Sequence, residues 1–313
     1  LISIVTPCFN EKDNIDELCE RIRTTMAGLN YRYEHIFIDN CSTDGTVKKI
    51  KEIAAQDRRV KLIVNVRNFG HIKSPYYALL QSRGDACVLI ASDLQDPPEM
   101  IKEFIEKWEE GFNTVLAVKP ESKESPLMFF IRKVYYKLIT RISEIPLVKN
   151  ATGAGLFDRK VIEILRKLDD PYPYFRGLVC EVGGPIATVP FTQPRRTRGV
   201  TKNNFFTLFD LAMLGITNHS KIPLRLMTMA GFSISVISFL VAIGFLIAKI
   251  IFWNSFVLGI APLVIGLFFF SAVLTFFMGI LGEYIGAIHT QIRNMPLVIE
   301  AERVNFDKDL GGN

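Results

Sequence analysis

The sequence lacks the short motifs that mark several common enzyme classes. It contains no GxxxxGKS or GxxxxGKT phosphate loop, no GxGxxG fingerprint and no HExxH pair, and its four histidines are scattered. These absences argue against a P-loop nucleotidase, a typical dinucleotide enzyme and a zinc hydrolase. The five cysteines form no CxxC pair, which fits a reducing compartment and ordinary packing. The chain opens on a strand pattern and shows no secretory signal peptide.

Charge is almost absent from residues 227–281, where Lys249 is the only charged residue. Two apolar segments in this region, 227–252 and 256–281, each reach the roughly 20 residues that a helix needs to cross a bilayer. The three residues between them, Trp253-Asn254-Ser255, are too few for anything but an antiparallel hairpin. We therefore expect a transmembrane helical hairpin, with a buried hairpin in a large soluble core as the alternative.

Basic residues flank the predicted hairpin on both sides. Lys221 and Arg225 precede it and Arg293 follows it, so the positive-inside rule places both of its ends in the cytoplasm. We expect a multi-pass protein of the plasma membrane whose amino-terminal part and whose tail over residues 282–313 lie in the cytoplasm. The net charge of +5 is modest, and beside a membrane hairpin it indicates anionic lipid or phosphate as the partner and not nucleic acid.

Apolar strands and amphipathic helices alternate over the first half of the chain. The apolar spacing predicts strands at 2–7, 33–39, 60–65, 86–92 and 114–118, and helices near 13–29, 46–55, 74–82 and 98–110. Such alternation predicts an α/β domain, over residues 1–192, whose sheet is mostly parallel with helices on both faces. Ligands bind such sheets at the carboxyl ends of the strands.

Polar and acidic side chains follow four of these strands in turn. They are Pro7, Asn10 and Glu11; Asp39, Asn40, Ser42 and Asp44; Arg67, Asn68 and Gly70; and Asp93, Gln95 and Asp96. Each has a structural alternative as a helix cap or turn residue. Carboxylates that recur at one edge repel each other, however, and a divalent cation relieves that repulsion. Mg²⁺ or Mn²⁺ bound to these oxygens would complete its coordination with water and phosphates.

Five motifs in order resemble glycosyltransferase family 2. They are TPCFNE (6–11), DNCSTDGT (39–46), RNFG (67–70), SDLQDPPEMI (92–101) and RTRGVTK (196–202). Within the family they look like the polyprenyl-phosphate glycosyltransferases, the group of dolichyl-phosphate mannose synthase and the bactoprenol glucosyltransferases. The motifs span roughly residues 1–225, and the hairpin extends the resemblance to the bactoprenol type.

The resemblance implies a GT-A fold, a nucleotide-sugar donor and a lipid phosphate acceptor. It assigns the nucleotide sugar to Pro7, Phe9, Asn10, Glu11, Asp39, Asn40, Asn68, Gly70 and Lys73. It assigns the metal, Mg²⁺ or Mn²⁺, to Asp93 and Gln95, and catalysis to Asp93, Asp96 and Arg196. Phosphate of the acceptor is expected at Arg132, Arg196, Arg198 and Lys202.

Two basic, amphipathic segments are expected near the membrane surface. Residues 193–226 begin with a basic loop and continue with large apolar residues, which favours a phosphate-binding loop followed by an interfacial helix. Residues 125–142, which include Arg132, show a similar mixture of basic and apolar side chains. A solvated loop with a core helix, or an ordinary packed helix, is the alternative for each segment.

The sequence departs from the family pattern at two places. Ala91 and Ser92 stand where a further acid often precedes Asp93, and Ala154 stands at the acid of the motif TGDFRL. Asp158 is the nearest replacement for that second acid. A base is dispensable on chemical grounds, because a phosphomonoester has a second pKa of about 6 and is mostly dianionic in the cytosol. The acceptor then needs positioning and charge neutralisation more than proton removal.

These observations predict a membrane-anchored inverting transferase that moves a hexose from a nucleoside diphosphate to undecaprenyl or a similar polyprenyl phosphate. UDP-glucose is the first donor by resemblance, and GDP-mannose and UDP-4-amino-4-deoxyarabinose derivatives stay open. A processive polysaccharide synthase is one alternative, although its QxxRW pattern is absent. A non-catalytic membrane scaffold with a nucleotide-binding fold is the other. The oligomeric state, including a homo-oligomer, is open.

Overall fold

The computed structural model describes residues 1–119, 148, 150–168, 170–171, 173–192, 222–251, 260–293 and 295–306. Within these ranges, eight strands form one sheet: β1 (Ile2–Cys8), β2 (Tyr33–Asp39), β3 (Val60–Asn65), β4 (Ala86–Leu89), β5 (Thr114–Val118), β6 (Ala151–Asp158), β7 (Ile186–Pro190) and β8 (Glu300–Val304). Their order is β7-β5-β6-β4-β1-β2-β3-β8. Only β6 and β8 run antiparallel to their neighbours, so the predicted mostly parallel sheet is confirmed.

Helices cover both faces of this sheet, as the alternating pattern predicts. The described helices are α1 (Lys12–Ala27), α2 (Thr46–Gln56), α3 (Gly70–Leu80), α4 (Met100–Glu109), α5 (Arg159–Leu168), α6 (Phe175–Glu181), α7 (Ile222–Ile251) and α8 (Ile260–Ile292). One core packs α1, α2 and α4 on the sheet, and the other packs α3, α5 and α6. The central strand β1 is almost wholly buried, as expected for a parallel strand covered on both faces.

Strand β6 is an element that the sequence analysis missed. It lies between β4 and β5 and runs antiparallel to both. Because β6 runs against the other strands, its first residues lie at the carboxyl edge of the sheet, beside the end of β4. Gly155 permits this insertion, since a Cβ atom there would lie 2.2 Å from the carbonyl oxygen of Val115.

Strand β8 corrects the expectation of a separate polar tail over residues 282–313. Residues 282–292 continue α8, and Glu300–Val304 then pair antiparallel with β3 at the edge of the sheet. Asn305, at φ 61°, donates from Nδ2 to the carbonyl oxygens of Ala54 at 2.7 Å and Val60 at 2.9 Å. Three of the five β8 side chains are exposed. This polar edge strand lacks the alternation of apolar and polar residues by which a strand is predicted from sequence.

Helices α7 and α8 contain most of the two apolar segments and contact each other. Among the described residues, Phe269–Ile292 is the one stretch long and apolar enough to cross a membrane, with a mean hydropathy of 1.6 and none of it buried. Helix α7 begins five residues before the predicted segment 227–252, and α8 ends eleven residues after the predicted segment 256–281. The predicted turn at Trp253 and the basic residue Lys221 lie outside the described residues, so the hairpin itself stays a prediction.

A buried histidine in β2 makes the stability of the domain sensitive to acid. His35 is 2% exposed, and its Nε2 lies 3.0 Å from Oγ1 of Thr6. Burial lowers the pKa of His35 to about 3, against about 6.5 in an unfolded chain. Between these two pKa values His35 is protonated in the unfolded state and neutral in the folded state. The free energy of unfolding therefore rises with pH across this window, and stability is lost as the pH falls below 6.5.

We therefore predict that acidification from pH 7 to pH 5 lowers the free energy of unfolding by about 2 kcal/mol through His35 alone. Thermal melts of the full-length protein in detergent, at both pH values, measure the effect. The variant His35→Gln should show a smaller drop on acidification than the unmodified protein. An equal drop in both proteins would refute the assignment to His35.

Candidate active site

A cleft of about 700 Å³ opens at the carboxyl edge of the sheet. Its walls come from the ends of β1, β2 and β4, the loop that leads into α3, the start of β6, and the start of α6. Of the residues predicted from the sequence, it is lined by Pro7, Phe9, Asn10, Glu11, Asn40, Asn68, Gly70, Asp93 and Asp96. The structure thus brings together residues that are up to 89 positions apart, from Pro7 to Asp96.

Asn10 is held in a left-handed conformation at the end of β1 by groups from the next βα loop. Its φ is 57°, its backbone N–H donates to Oγ of Ser42 at 2.8 Å, and its Oδ1 accepts from the backbone N–H of Thr43 at 2.8 Å. Ser42 in turn donates from its backbone N–H to Oδ1 of Asp39 at 2.8 Å and from its hydroxyl to Oδ2. This chain of bonds fixes the loop that carries Asn10.

Asp39 lies beneath the loop that carries Asn10. The residue is fully buried and is absent from the cleft wall, and burial raises the pKa of its carboxyl group. Its two bonds from Ser42 support that loop. The donor contact that the resemblance implies for Asp39 stays a prediction.

Asn40 fastens the loop before α3 to the end of β2. Its Nδ2 donates to the carbonyl oxygen of Gly70 at 3.1 Å, while its Oδ1 accepts from Nδ2 of Asn65 at 2.9 Å and from the backbone N–H of Phe69 at 3.2 Å. Asn68 closes the same turn, because its Oδ1 accepts from the backbone N–H of Gly70 at 2.7 Å. Hydrogen bonds between protein groups therefore hold this side of the cleft wall in place.

Asp93 and Asp96 form a pair of carboxylates in the turn that follows β4. Leu94, between them, has φ 59°, and both aspartates line the cleft while Gln95 does not. Asp96 is 8% exposed, and its Oδ1 is buried without a hydrogen-bond partner among the described residues. Burial, and then the charge of Asp93, raise the pKa of Asp96 to about 6. A ligand that supplies positive charge at this point would relieve both costs.

The carboxylate pair fits a divalent cation that shares its coordination with a phosphate ligand. The described part of the chain contains no cluster of three or more histidine, cysteine, aspartate or glutamate side chains arranged to hold a metal. Mg²⁺ and Mn²⁺ accept one or two carboxylates and complete the shell with water and substrate phosphate oxygens. Asp96 lines the cleft with Asp93 whereas Gln95 does not, and Gln95 as a metal ligand stays a prediction.

Asp158, the residue suggested as a substitute acid, is at the wrong edge of the sheet. It pairs with Ala86 at the amino end of β4, and its Oδ2 accepts a hydrogen bond from Nε1 of Trp108 at 2.8 Å. Its Oδ1 accepts from the backbone N–H of Lys160 at 2.8 Å, in the first turn of α5. The antiparallel direction of β6, which the sequence did not reveal, carries Asp158 away from the cleft.

The remaining predicted residues fall outside the cleft wall or outside the described structure. Lys73 is half-buried in the first turn of α3, and its pKa is lowered by burial and by the positive charges of Arg67 and Arg293, against Asp170. It does not line the cleft. The expected acceptor-phosphate residues lie outside the described residues: Arg132, Arg196, Arg198 and Lys202.

Several cleft residues were missed because their partners are distant in the sequence. His71 from α3, Thr152 and Gly153 from β6, and Arg176 from α6 all line the cleft. Nη2 of Arg176 donates to the carbonyl oxygen of Thr152 at 2.7 Å. The one available signal was that Arg176 is the only cation in the segment PYPYFRGLVC, residues 171–180. Ala154 lies in the same wall, so no carboxylate stands at that position.

Comparison with known proteins agrees with this geometry. The family model described as Glycosyl transferase family 2 matches residues 3–165. An uncharacterized glycosyltransferase of Synechocystis sp. is 33% identical over 302 residues, which cover 96% of this chain and 95% of the relative. The uncharacterized glycosyltransferase YkcC of Bacillus subtilis is 35% identical and covers 95% and 92%. The SfII prophage-derived bactoprenol glucosyl transferase of Shigella flexneri is 34% identical and covers 95% and 96%.

Proposed function

Because the chain belongs to glycosyltransferase family 2 and has the GT-A fold, we propose that it transfers a hexose from a nucleoside diphosphate to a polyprenyl phosphate. The observation that carries this proposal is the pair Asp93 and Asp96, which line the cleft after β4 and of which Asp96 has a buried Oδ1 without a hydrogen-bond partner among the described residues. The acceptor class is taken from the bactoprenol glucosyl transferase of Shigella flexneri, which matches the chain over nearly its whole length. UDP-glucose is the proposed donor.

The donor lies along the carboxyl edge of the sheet in this proposal. The nucleoside occupies the side formed by Pro7, Asn10 and Asn40. Hydrogen bonds with Ser42, Thr43 and Asn65 hold Asn10 and Asn40 in place. The diphosphate then lies beside Asp93 and Asp96. A divalent cation bound there, Mg²⁺ or Mn²⁺, would stabilise the negative charge of the leaving nucleoside diphosphate.

The reaction needs no base from the chain. An oxygen of the acceptor phosphate attacks the anomeric carbon, and the bond from that carbon to the diphosphate breaks with its electron pair. Attack from the face opposite the leaving group inverts the configuration. Since the acceptor enters as a dianion, the site has to neutralise charge and align the two substrates, which accounts for Ala154 in the cleft wall.

Membrane attachment by α7 and α8 is part of the same proposal. The stretch Phe269–Ile292 supports one crossing. The apolar α7 would provide the second crossing of the predicted hairpin. The hairpin would keep the catalytic domain at the cytoplasmic surface, where a polyprenyl phosphate presents its headgroup. The basic residues Arg132, Arg196, Arg198 and Lys202 stay predicted contacts of that headgroup.

The test is a transfer assay with the purified full-length protein in detergent. We expect UDP release from UDP-glucose with MgCl₂ only when undecaprenyl phosphate is present, and no release with undecaprenol, which lacks the phosphate. A carbohydrate polymer as product would instead identify a processive synthase. No turnover with UDP-glucose, GDP-mannose or UDP-4-amino-4-deoxyarabinose derivatives would contradict the proposal and support the non-catalytic scaffold.

A further inference from the structure

Arg176 is a rigidly held cation in the cleft wall. It lies in the first turn of α6, where the neighbouring Phe175 packs edge-on against Phe157 at 5.0 Å and Tyr76 at 6.1 Å between ring centroids. The guanidinium is fixed from the other end by its 2.7 Å bond to the carbonyl oxygen of Thr152. A guanidinium has five N–H donors in a planar fork, and this carbonyl accepts from Nη2 alone. The group is therefore oriented in advance.

The strand order places Arg176 beyond the diphosphate, as seen from the nucleoside. Along the carboxyl edge the order is β2, β1, β4, β6. Asn40 and Asn10 follow the first two strands, the Asp93–Asp96 turn follows β4, and Thr152 begins β6. Since Gly155 pairs with Leu89, the last residue of β4, the residues from Thr152 to Ala154 extend past the end of β4 at the rim.

The charge environment of Arg176 suits an anion. Among the described residues its hydrogen bond goes to a backbone carbonyl oxygen, and the family's acid position beside it is Ala154. His71, which also lines the cleft, has its pKa lowered by burial and by the charge of Arg176. Arg176 is also close enough to Asp96 to favour that carboxylate's charged form. The wall thus presents one fixed positive charge at the end of the cleft away from the nucleoside.

We propose that Arg176 binds the phosphate of the polyprenyl phosphate acceptor and holds it against the anomeric carbon. This assignment rests on the proposed function and adds a residue to it that no motif indicated. Arg176 neutralises one charge of the incoming dianion, so that the phosphate can approach the negative diphosphate. The fork of the guanidinium matches two phosphate oxygens and leaves the third oxygen to attack.

The sharpest test separates acceptor binding from donor binding in the full-length protein. In Arg176→Gln we expect kcat/KM for undecaprenyl phosphate at saturating UDP-glucose to fall about 30-fold, mainly through KM, because a charge-assisted bond is lost. The dissociation constant of UDP, measured by calorimetry without lipid, should change less than about 2-fold. Arg176→Lys should recover part of the loss, since it restores the charge without the fork.

The matched control is Arg23→Gln. Arg23 is exposed and paired with Glu20 at 2.9 Å on α1, away from the cleft, so its removal should leave both constants unchanged. A parallel loss of UDP affinity in Arg176→Gln would place the residue on the donor, and an unchanged KM for undecaprenyl phosphate would remove it from the acceptor site. Either result overturns the assignment. Melting temperatures of all variants report whether they fold.

A binding measurement, which needs no sugar transfer, tests the assignment of Arg176 separately from the proposed function. Farnesyl phosphate, with UDP and MgCl₂ present, should raise the melting temperature of the unmodified protein, farnesol should not, and Arg176→Gln should lose the shift. If no glucose is transferred but this pattern holds, the proposed function fails and the assignment of Arg176 survives. If farnesyl phosphate gives no shift, or the same shift in Arg176→Gln, the assignment is wrong.

Discussion

Asp93→Asn and Asp96→Asn are each expected to lower kcat for sugar transfer by about 100-fold or more, the effect typical of removing one preorganised electrostatic group from an active site. Asparagine keeps the size of the side chain and removes its charge. The melting temperature of Asp96→Asn should stay the same or rise, because Asp96 is buried, repelled by Asp93 and carries an unpartnered oxygen. A fall in activity together with unchanged or higher stability distinguishes a ligand-binding carboxylate from a structural one.

The control for this pair is Asp16→Asn. Asp16 is exposed on α1 and forms a salt bridge with Lys49 at 2.7 Å, so its loss should leave kcat unchanged. Activity should also depend on added Mg²⁺ or Mn²⁺ and disappear with a chelator. Full turnover in Asp93→Asn would remove the carboxylate pair from the mechanism, and a clear drop in the stability of Asp96→Asn would indicate a structural role instead.

Gly155→Ala is expected to destabilise the catalytic domain by about 3 kcal/mol or more. A Cβ at this position would lie 2.2 Å from the carbonyl oxygen of Val115 and 3.3 Å from the Cα of Leu116, and these are backbone atoms that cannot rotate away. Strand β6 would have to separate from β5. Because β6 also carries the cleft residues from Thr152 to Ala154, activity should be lost with stability.

Gly28→Ala is the matched control, since its added Cβ would meet only the carbonyl oxygen of Thr25, at 3.7 Å, and its φ is −81°. Circular dichroism during thermal or urea unfolding measures both variants. A Gly155→Ala protein with the melting temperature of Gly28→Ala would show that β6 does not pack against β5 as the structure describes.

The sequence predicted the elements whose apolar pattern is local. Strands β1, β2, β3 and β5, and helices α1, α2 and α4, begin and end within about two residues of the predicted bounds. It missed the strands β6, β7 and β8 and the helices α5 and α6. The three strands pair with strands formed far away in the chain. A strand such as Glu300–Val304, with mostly exposed side chains, leaves no apolar period to detect.

In the site too, the residues set by a local sequence pattern could be predicted and those set by distant contacts could not. Residues that follow a strand, such as Asn10 and Asp93, could be placed at the carboxyl edge from the strand pattern alone. Which of them lines the cleft depends on backbone turns: Asp39 is buried, and Asp96 lines the cleft whereas Gln95 does not. The position of Arg176 in the cleft wall depends on the direction of β6 and on a bond to a carbonyl oxygen 24 residues earlier in the chain. No local sequence pattern predicts either feature.

Diffraction from crystals grown with UDP and MnCl₂ tests the central claim most directly, since Mn²⁺ gives an anomalous signal that locates the ion without reference to the model of the protein. We predict one strong peak within coordination distance of the carboxylates of Asp93 and Asp96, with the β-phosphate of UDP as a further ligand and the uridine beside Asn10 and Asn40. A peak and a nucleotide at any other place on the chain, with the two aspartates left without a cation, would contradict the account.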